Sequence, residues 1–165
     1  MQGSAFVFIN FIQAARFGHV GWGFSLDEMQ DTFYFGSTDH LYRHPWWDLG
    51  GWVRYAHVGP ELNNDWWSQV GTKQQMFETM SQGRHHIRYH ACKRVTVAMP
   101  APETAMTYAE SLKAAGWSVL SNNCVHQTYD VLTKYGAELP MPTEPMINLI
   151  PKRWFAEIPG EVYEF

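Results

Sequence analysis

Hydrophobic and polar positions change period several times along this chain, and each change marks an element. Residues 5–12, AFVFINFI, form a nearly unbroken apolar run, the pattern of a strand buried on both faces. Residues 19–26, HVGWGFSL, alternate instead, with Val20, Trp22, Phe24 and Leu26 on one face and His19, Gly21, Gly23 and Ser25 on the other. Together with residues 31–38, DTFYFGST, this predicts a hairpin that turns through Asp27 to Gln30. The glycine face is almost bare, so another segment can approach it closely; a helix end carrying a cysteine, or a substrate chain, would fit.

The period then becomes helical. TKQQ opens a short helix through a Thr72/Gln75 capping box, with Met76, Phe77 and Met80 on one side and Gly83 as its stop. Residues 85–100 alternate again and predict a long strand, turning apolar toward Val95, Val97 and Met99. A helix follows from Pro102, carrying Ala105, Met106, Ala109 and Leu112 along one side up to Gly116. Residues 121–136, SNNCVHQTYDVLTKYG, predict the best delimited helix of the chain. Asn122 or Asn123 can cap it, Val125, Thr128, Leu132 and Tyr135 recur at helical spacing with Tyr129 and Val131 beside them, and Gly136 supplies a left-handed stop.

Two stretches lack clean periodicity. Residues 38–83 hold Trp46, Trp47, Trp52, Trp66 and Trp67 with Pro45, Gly50, Gly51 and Pro60, and read as a tryptophan-rich insertion. Its aromatic side chains suit either a lid built into the core or the wall of a cleft for sugar rings, peptide or acyl chains. From about residue 139 the chain carries Pro140, Pro142, Pro145, Pro151 and Pro159. Ile147, Leu149, Trp154 and Phe155 make this tail too apolar for a free linker, so it is expected to wrap back on the body. The whole predicts one α+β domain over residues 1–165, a small antiparallel sheet packed with helices.

Composition narrows the function. With 165 residues, 45% of them hydrophobic and 16% aromatic, the chain has the makings of a real core. A net charge of −4, with lysines and arginines scattered, offers no basic stripe for phosphates and argues against nucleic acid. No run reaches the roughly 20 apolar residues of a membrane span. The first residues lack the order of a signal peptide, which points to the cytoplasm or to a delivered effector. Two cysteines, Cys92 and Cys124, are too few for a disulfide scaffold, and a reducing compartment is expected.

The chemistry concentrates at Cys124. It occupies the first turn of the 121–136 helix, where free N–H groups and the helix dipole stabilise a thiolate, the form that attacks carbonyl carbon. A base must come from the eight histidines. His126 is two positions away, about half a turn round the helix, and cannot easily take the proton. His19, at the head of the glycine-interrupted strand, is the better candidate. His86, His90 and Cys92 would share one face of the 85–100 strand, but a flat strand splays such ligands apart by nearly 7 Å per two residues, and no metal or other cofactor is expected.

The hairpin FGHVGWGFSLDEMQDTFYFGS resembles the histidine-bearing hairpin of the NlpC-type papain-like cysteine hydrolases, and NNCVHQTYDVLTKYG resembles the Asn-Cys helix start of their circularly permuted branch. The order, histidine first and cysteine about a hundred residues later, is that branch's order and is also similar to the lecithin:retinol acyltransferase group. The resemblance covers about half the chain in two short blocks. It implies a papain-like permuted NlpC-type fold, with Cys124 as nucleophile and His19 as general base. Family members also place a polar residue on the strand after the histidine to hold the imidazole's tautomer. Here Tyr34 or Ser37 could serve, with Asp31 and Asp39 at the strand ends, and the choice stays open.

The expected function is thus cysteine-dependent cleavage of an amide bond in a peptide or a cell-wall, peptidoglycan-like peptide. Lipid acyl transfer or ester cleavage on the same fold is the alternative within that chemistry, and a non-catalytic, aromatic-rich binding module is the alternative outside it. Oligomeric state is not legible.

Overall fold

A computed structural model describes residues 2–14, 16–40, 47–62, 64–83, 87–142 and 150–165. Trp46 and Pro45 of the insertion, His86, and Pro145, Ile147 and Leu149 of the tail lie outside the described residues.

The architecture is α+β. Six strands form one antiparallel sheet, and five α-helices occur among the described residues. The first strand, β1, spans Gly3–Asn10 and is buried along its whole length, as its apolar run requires. It ends two residues earlier than its hydrophobicity suggests, because the Asn10 side-chain oxygen accepts from the N–H groups of Ile12 and Gln13 and bends the chain into a turn. β2 (His19–Asp27) and β3 (Thr32–Thr38) form the expected hairpin, with a register irregularity between Ser25 and Asp27. β5 (Trp66–Gly71) adds to the outer side of β3, so the tryptophan-rich stretch contributes a strand to the main sheet. On the other side, β6 (Ala91–Val97) pairs with β1, and β8 (Val162–Glu164) closes that edge, giving the order β5-β3-β2-β1-β6-β8.

β6 is shorter than the 85–100 alternation predicts. Residues 87–90 are irregular, and the Tyr89 N–H donates to the Met80 carbonyl on a neighbouring helix rather than to a strand. Alternation across 85–100 therefore does not describe one flat strand face.

Each face of the sheet has its own core. Val20, Trp22, Phe24 and Tyr34 face α3 (Pro102–Ser111), α4 (Cys124–Tyr135) and α5 (Pro151–Glu157), and Val125, Leu132, Tyr135, Trp154 and Phe155 fill that layer. Phe6, Phe8, Phe33 and Phe35 on the opposite face meet Met76 and Met80 of α2 (Lys73–Gln82), together with Tyr89. This second layer occupies the bare side of β2. A Cβ on Gly21 would lie 2.8 Å from the Tyr89 hydroxyl, and one on Gly23 2.6 Å from the Met76 sulfur. The glycines make room for methionine and tyrosine, not for the cysteine helix, which packs on the face of Val20, Trp22 and Phe24.

The local signals behind the helices act as read. Thr72 and Gln75 form the capping box of α2, and Gly83 ends it at φ 66°. α4 ends at Gly136, whose φ of 105° is a conformation other residues adopt only with strain. α3 stops at Ser111 and passes through a 3-10 turn over Leu112–Ala114 before Gly116. The tail returns to the body, where α5 buries Trp154 and Phe155 and β8 pairs with β6. α1 (Leu49–Ala56) leads into β4 (His57–Val58), which pairs with β7 (Trp117–Ser118), the strand just upstream of α4.

Candidate active site

His19 opens β2 at the end of the sheet, opposite Asn10 of β1. Its neighbours come from the continuation of β3. The β2–β3 register pairs Trp22 with Gly36, and extending it by three pairs sets Asp39 across from His19. Nε2 of His19 lies 3.0 Å from Ser37 Oγ and 3.2 Å from Asp39 Oδ1. Two of the four residues that could orient the imidazole thus meet it. The other two do not: Tyr34 faces the opposite layer and donates to Glu110, and Asp31 sits in the hairpin turn, where it accepts from the Lys73 N–H.

Asp39 has no solvent exposure, a costly place for a carboxylate unless its oxygens are satisfied. They are. Oδ1 also accepts from the Tyr89 hydroxyl at 2.9 Å, and Oδ2 accepts from Trp67 Nε1 at 2.7 Å. Burial pushes the Asp39 carboxyl upward, but the hydrogen bond and charge of His19, with the donors on Trp67 and Tyr89, outweigh it and hold the group below 3.8. The same ring of contacts raises Tyr89, through burial first and the Asp39 charge next.

The cysteine arrives from α4. Asn123 is the cap: its Oδ1 accepts from the N–H groups of Val125 and His126, and its own N–H meets His126 Nδ1, completing a capping box. His126 is therefore committed to the helix end. These bonds leave the Cys124 N–H, the first of the helix, without an acceptor among the described residues. Cys124 is 6% exposed, and His19 5%.

The two side chains are electrostatically coupled. Burial acts to lower the His19 pKa, yet the charge of the Cys124 sulfur, the hydrogen bond to Asp39, the hydrogen bond to Cys124 and the Asp39 charge together raise it to about 10. An imidazolium flanked by a sulfur on one side and a buried carboxylate on the other is the form this environment favours. With Nε2–H donated to Asp39, Nδ1 is the nitrogen free to exchange a proton with sulfur.

Tyr55 of α1 belongs to an aromatic cluster with His40 and Trp117. Burial raises the Tyr55 phenol above its ordinary value, and the charge of Cys124 adds to the rise. Its ring stacks on His40 at 4.8 Å and lies 5.3 Å from Trp117, while His40 bonds Asp65 at 2.9 Å and the Tyr55 carbonyl at 3.0 Å.

The second constellation, His86, His90 and Cys92, does not assemble in the described part. His86 lies outside it. His90 Nδ1 accepts from the Phe11 N–H, and Cys92 is buried in the phenylalanine layer, where burial pushes its thiol up to about 12.

Sequence reasoning did not find Tyr89 and Trp67. Tyr89 reaches Asp39 from an irregular segment that no periodicity marks, whereas Trp67 stood out only as one of several tryptophans. Compared with protein-family models, with curated proteins and with solved structures, the chain finds no match.

Proposed function

We propose that this protein is a cysteine hydrolase of the permuted NlpC type, with Cys124 as nucleophile, His19 as general base and acid, and Asp39 as the group that holds the imidazole. One observation carries the reading: His19 hydrogen-bonds a buried carboxylate whose oxygens are both satisfied, and its charge is coupled to that of the Cys124 sulfur.

In the reaction His19 takes the Cys124 proton on Nδ1, and the thiolate attacks an amide carbonyl, forming a carbon–sulfur bond. The Cys124 N–H, in the first turn of α4, donates to the oxyanion. Collapse breaks the carbon–nitrogen bond as the imidazolium returns its proton to the leaving amine. Water, deprotonated by the same imidazole, then cleaves the thioester and releases a carboxylic acid and free Cys124. Asp39 stabilises the imidazolium throughout and does not itself accept the proton. The substrate class is a peptide, including cell-wall peptides.

A second substrate is supported by the surface beside the site. Leu49 and Val53 on α1 and Leu120 on the approach to Cys124 are 78%, 72% and 74% exposed, and the Val119 N–H bonds the Ala56 carbonyl, joining the two segments. An acyl chain would cover such an apolar face, with the same thioester chemistry.

An activated ester such as p-nitrophenyl acetate tests the reading without knowledge of the natural substrate. The expected result is a burst of p-nitrophenol and an acetyl group on Cys124 by peptide mass spectrometry, both lost in Cys124→Ala and His19→Ala. A burst that survives in either variant rejects the assignment.

A further inference from the structure

The two halves of the site stand on different elements, His19 and Asp39 on the sheet and Cys124 on a helix. α4 leans on the sheet largely through apolar side chains, and apolar packing is not directional. Proton transfer between sulfur and imidazole tolerates only small displacements, so something must fix how the helix sits along the strand end.

Gln127 is placed to do this. It lies one turn beyond Cys124 on α4 and is 2% exposed. Its Oε1 accepts from Thr38 Oγ1 at 2.6 Å, and its Nε2 faces the carbonyls of Gly116 and Asn122, each at 3.3 Å. Thr38 is the last residue of β3 and directly precedes Asp39, and Asn122 stands two residues before Cys124. One buried amide therefore spans the end of the orienting strand, the turn after Ala115 and the approach to the nucleophile. Among the described residues, Thr38–Gln127 is the one side-chain hydrogen bond between β3 and α4. A buried amide with an unmet oxygen is costly, which makes the bond a constraint on position and not a loose contact.

We propose that Gln127, through Thr38, is the positioning residue that sets Cys124 against His19; this rests on the hydrolase reading above. Among the described residues, neither side chain hydrogen-bonds Cys124 or His19. Their effect reaches the site by keeping the Asp39 end of β3 and the first turn of α4 in one register.

The test is the pH profile of Cys124 alkylation by iodoacetamide, read by peptide mass spectrometry, together with thermal stability. Thr38→Val keeps the shape and removes the hydroxyl; it is expected to slow Cys124 alkylation at neutral pH about fivefold and to move the profile to higher pH. Gln127→Leu should act in the same direction. The double variant should be no slower than Gln127→Leu alone, because the bond that Thr38→Val removes is already lost in Gln127→Leu. Thr38→Ser, which keeps the donor, should retain the wild-type profile. The proposal is overturned if Thr38→Val and Gln127→Leu both keep the wild-type pH profile, whatever happens to their melting temperatures. A profile that depends on His19 but on neither of these residues sinks this proposal alone, whereas one that does not depend on His19 sinks the hydrolase reading as well.

Discussion

At the scale of single residues, the site is a problem of placing charge in a dry space. Asp39 is buried completely, and its three donors, His19, Tyr89 and Trp67, keep it ionised. His19 is buried too, and a lone imidazole there would be driven neutral. Its rise to about 10 instead depends first on the Cys124 sulfur and then on Asp39. An NMR titration of the His19 ring should therefore show protonation persisting to about pH 10, and Cys124→Ala and Asp39→Asn should each bring it down. A ring that titrates unchanged in both variants would contradict the charge arrangement. The sign for stability follows. The raised pKa of His19 stabilises the fold fully below its ordinary 6.5, and that contribution is lost as pH rises through about 10. Asp39 works in the opposite sense: its contribution is present above 3.8 and is lost as pH falls through its lower native value.

At the scale of elements, α4 shows how much a short sequence can dictate. An asparagine, a helical apolar stripe and a glycine delimit residues 124–135 without help from the rest of the chain. Asn123→Ala should cost about 1 kcal/mol, as removal of a side-chain cap does, measurable as a lower urea midpoint at unchanged slope. An unchanged midpoint would mean that the cap is not made. The hairpin was legible for the same local reasons, and so was the capping box of α2. The third residue of the site was not. Tyr34, Ser37, Asp31 and Asp39 cannot be told apart without the hairpin register, and that register is set by the irregularity between Ser25 and Asp27, which leaves no sequence mark. The glycine face was misjudged for a related reason. Gly21 and Gly23 announce a close approach, but only the tertiary fold says that Tyr89 and Met76 are what approaches.

At the scale of the whole molecule, distant segments complete the layers around the sheet. β5 comes from the tryptophan-rich stretch, and Trp67 on it reaches Asp39. The last residues return to bury Trp154, whose indole N–H donates to the Pro140 carbonyl at 2.8 Å, beneath the layer that carries α4. Trp154→Ala should therefore cost about 3–5 kcal/mol by urea denaturation, the range for a large core aromatic. A loss near that of a surface substitution would show that the tail is not part of the core. No helix among the described residues is long and apolar enough to cross a membrane. These long-range closures explain why periodicity predicted many elements but not their arrangement: α5 and β8 lie in the proline-rich tail, which was read only as wrapping back on the body, and their partners, β1 and β6, stand far earlier in the chain.

The most direct measurement is the rate at which iodoacetamide modifies Cys124 at about pH 6, where an ordinary thiol is nearly all protonated, in the wild type and in His19→Ala. If the imidazolium stabilises a thiolate, Cys124 is alkylated readily in the wild type, about tenfold or more slower in His19→Ala, and Cys92 stays unmodified in both. Equal Cys124 rates in the two proteins would show that sulfur and imidazole do not act as a pair, and the account of the active site would fail.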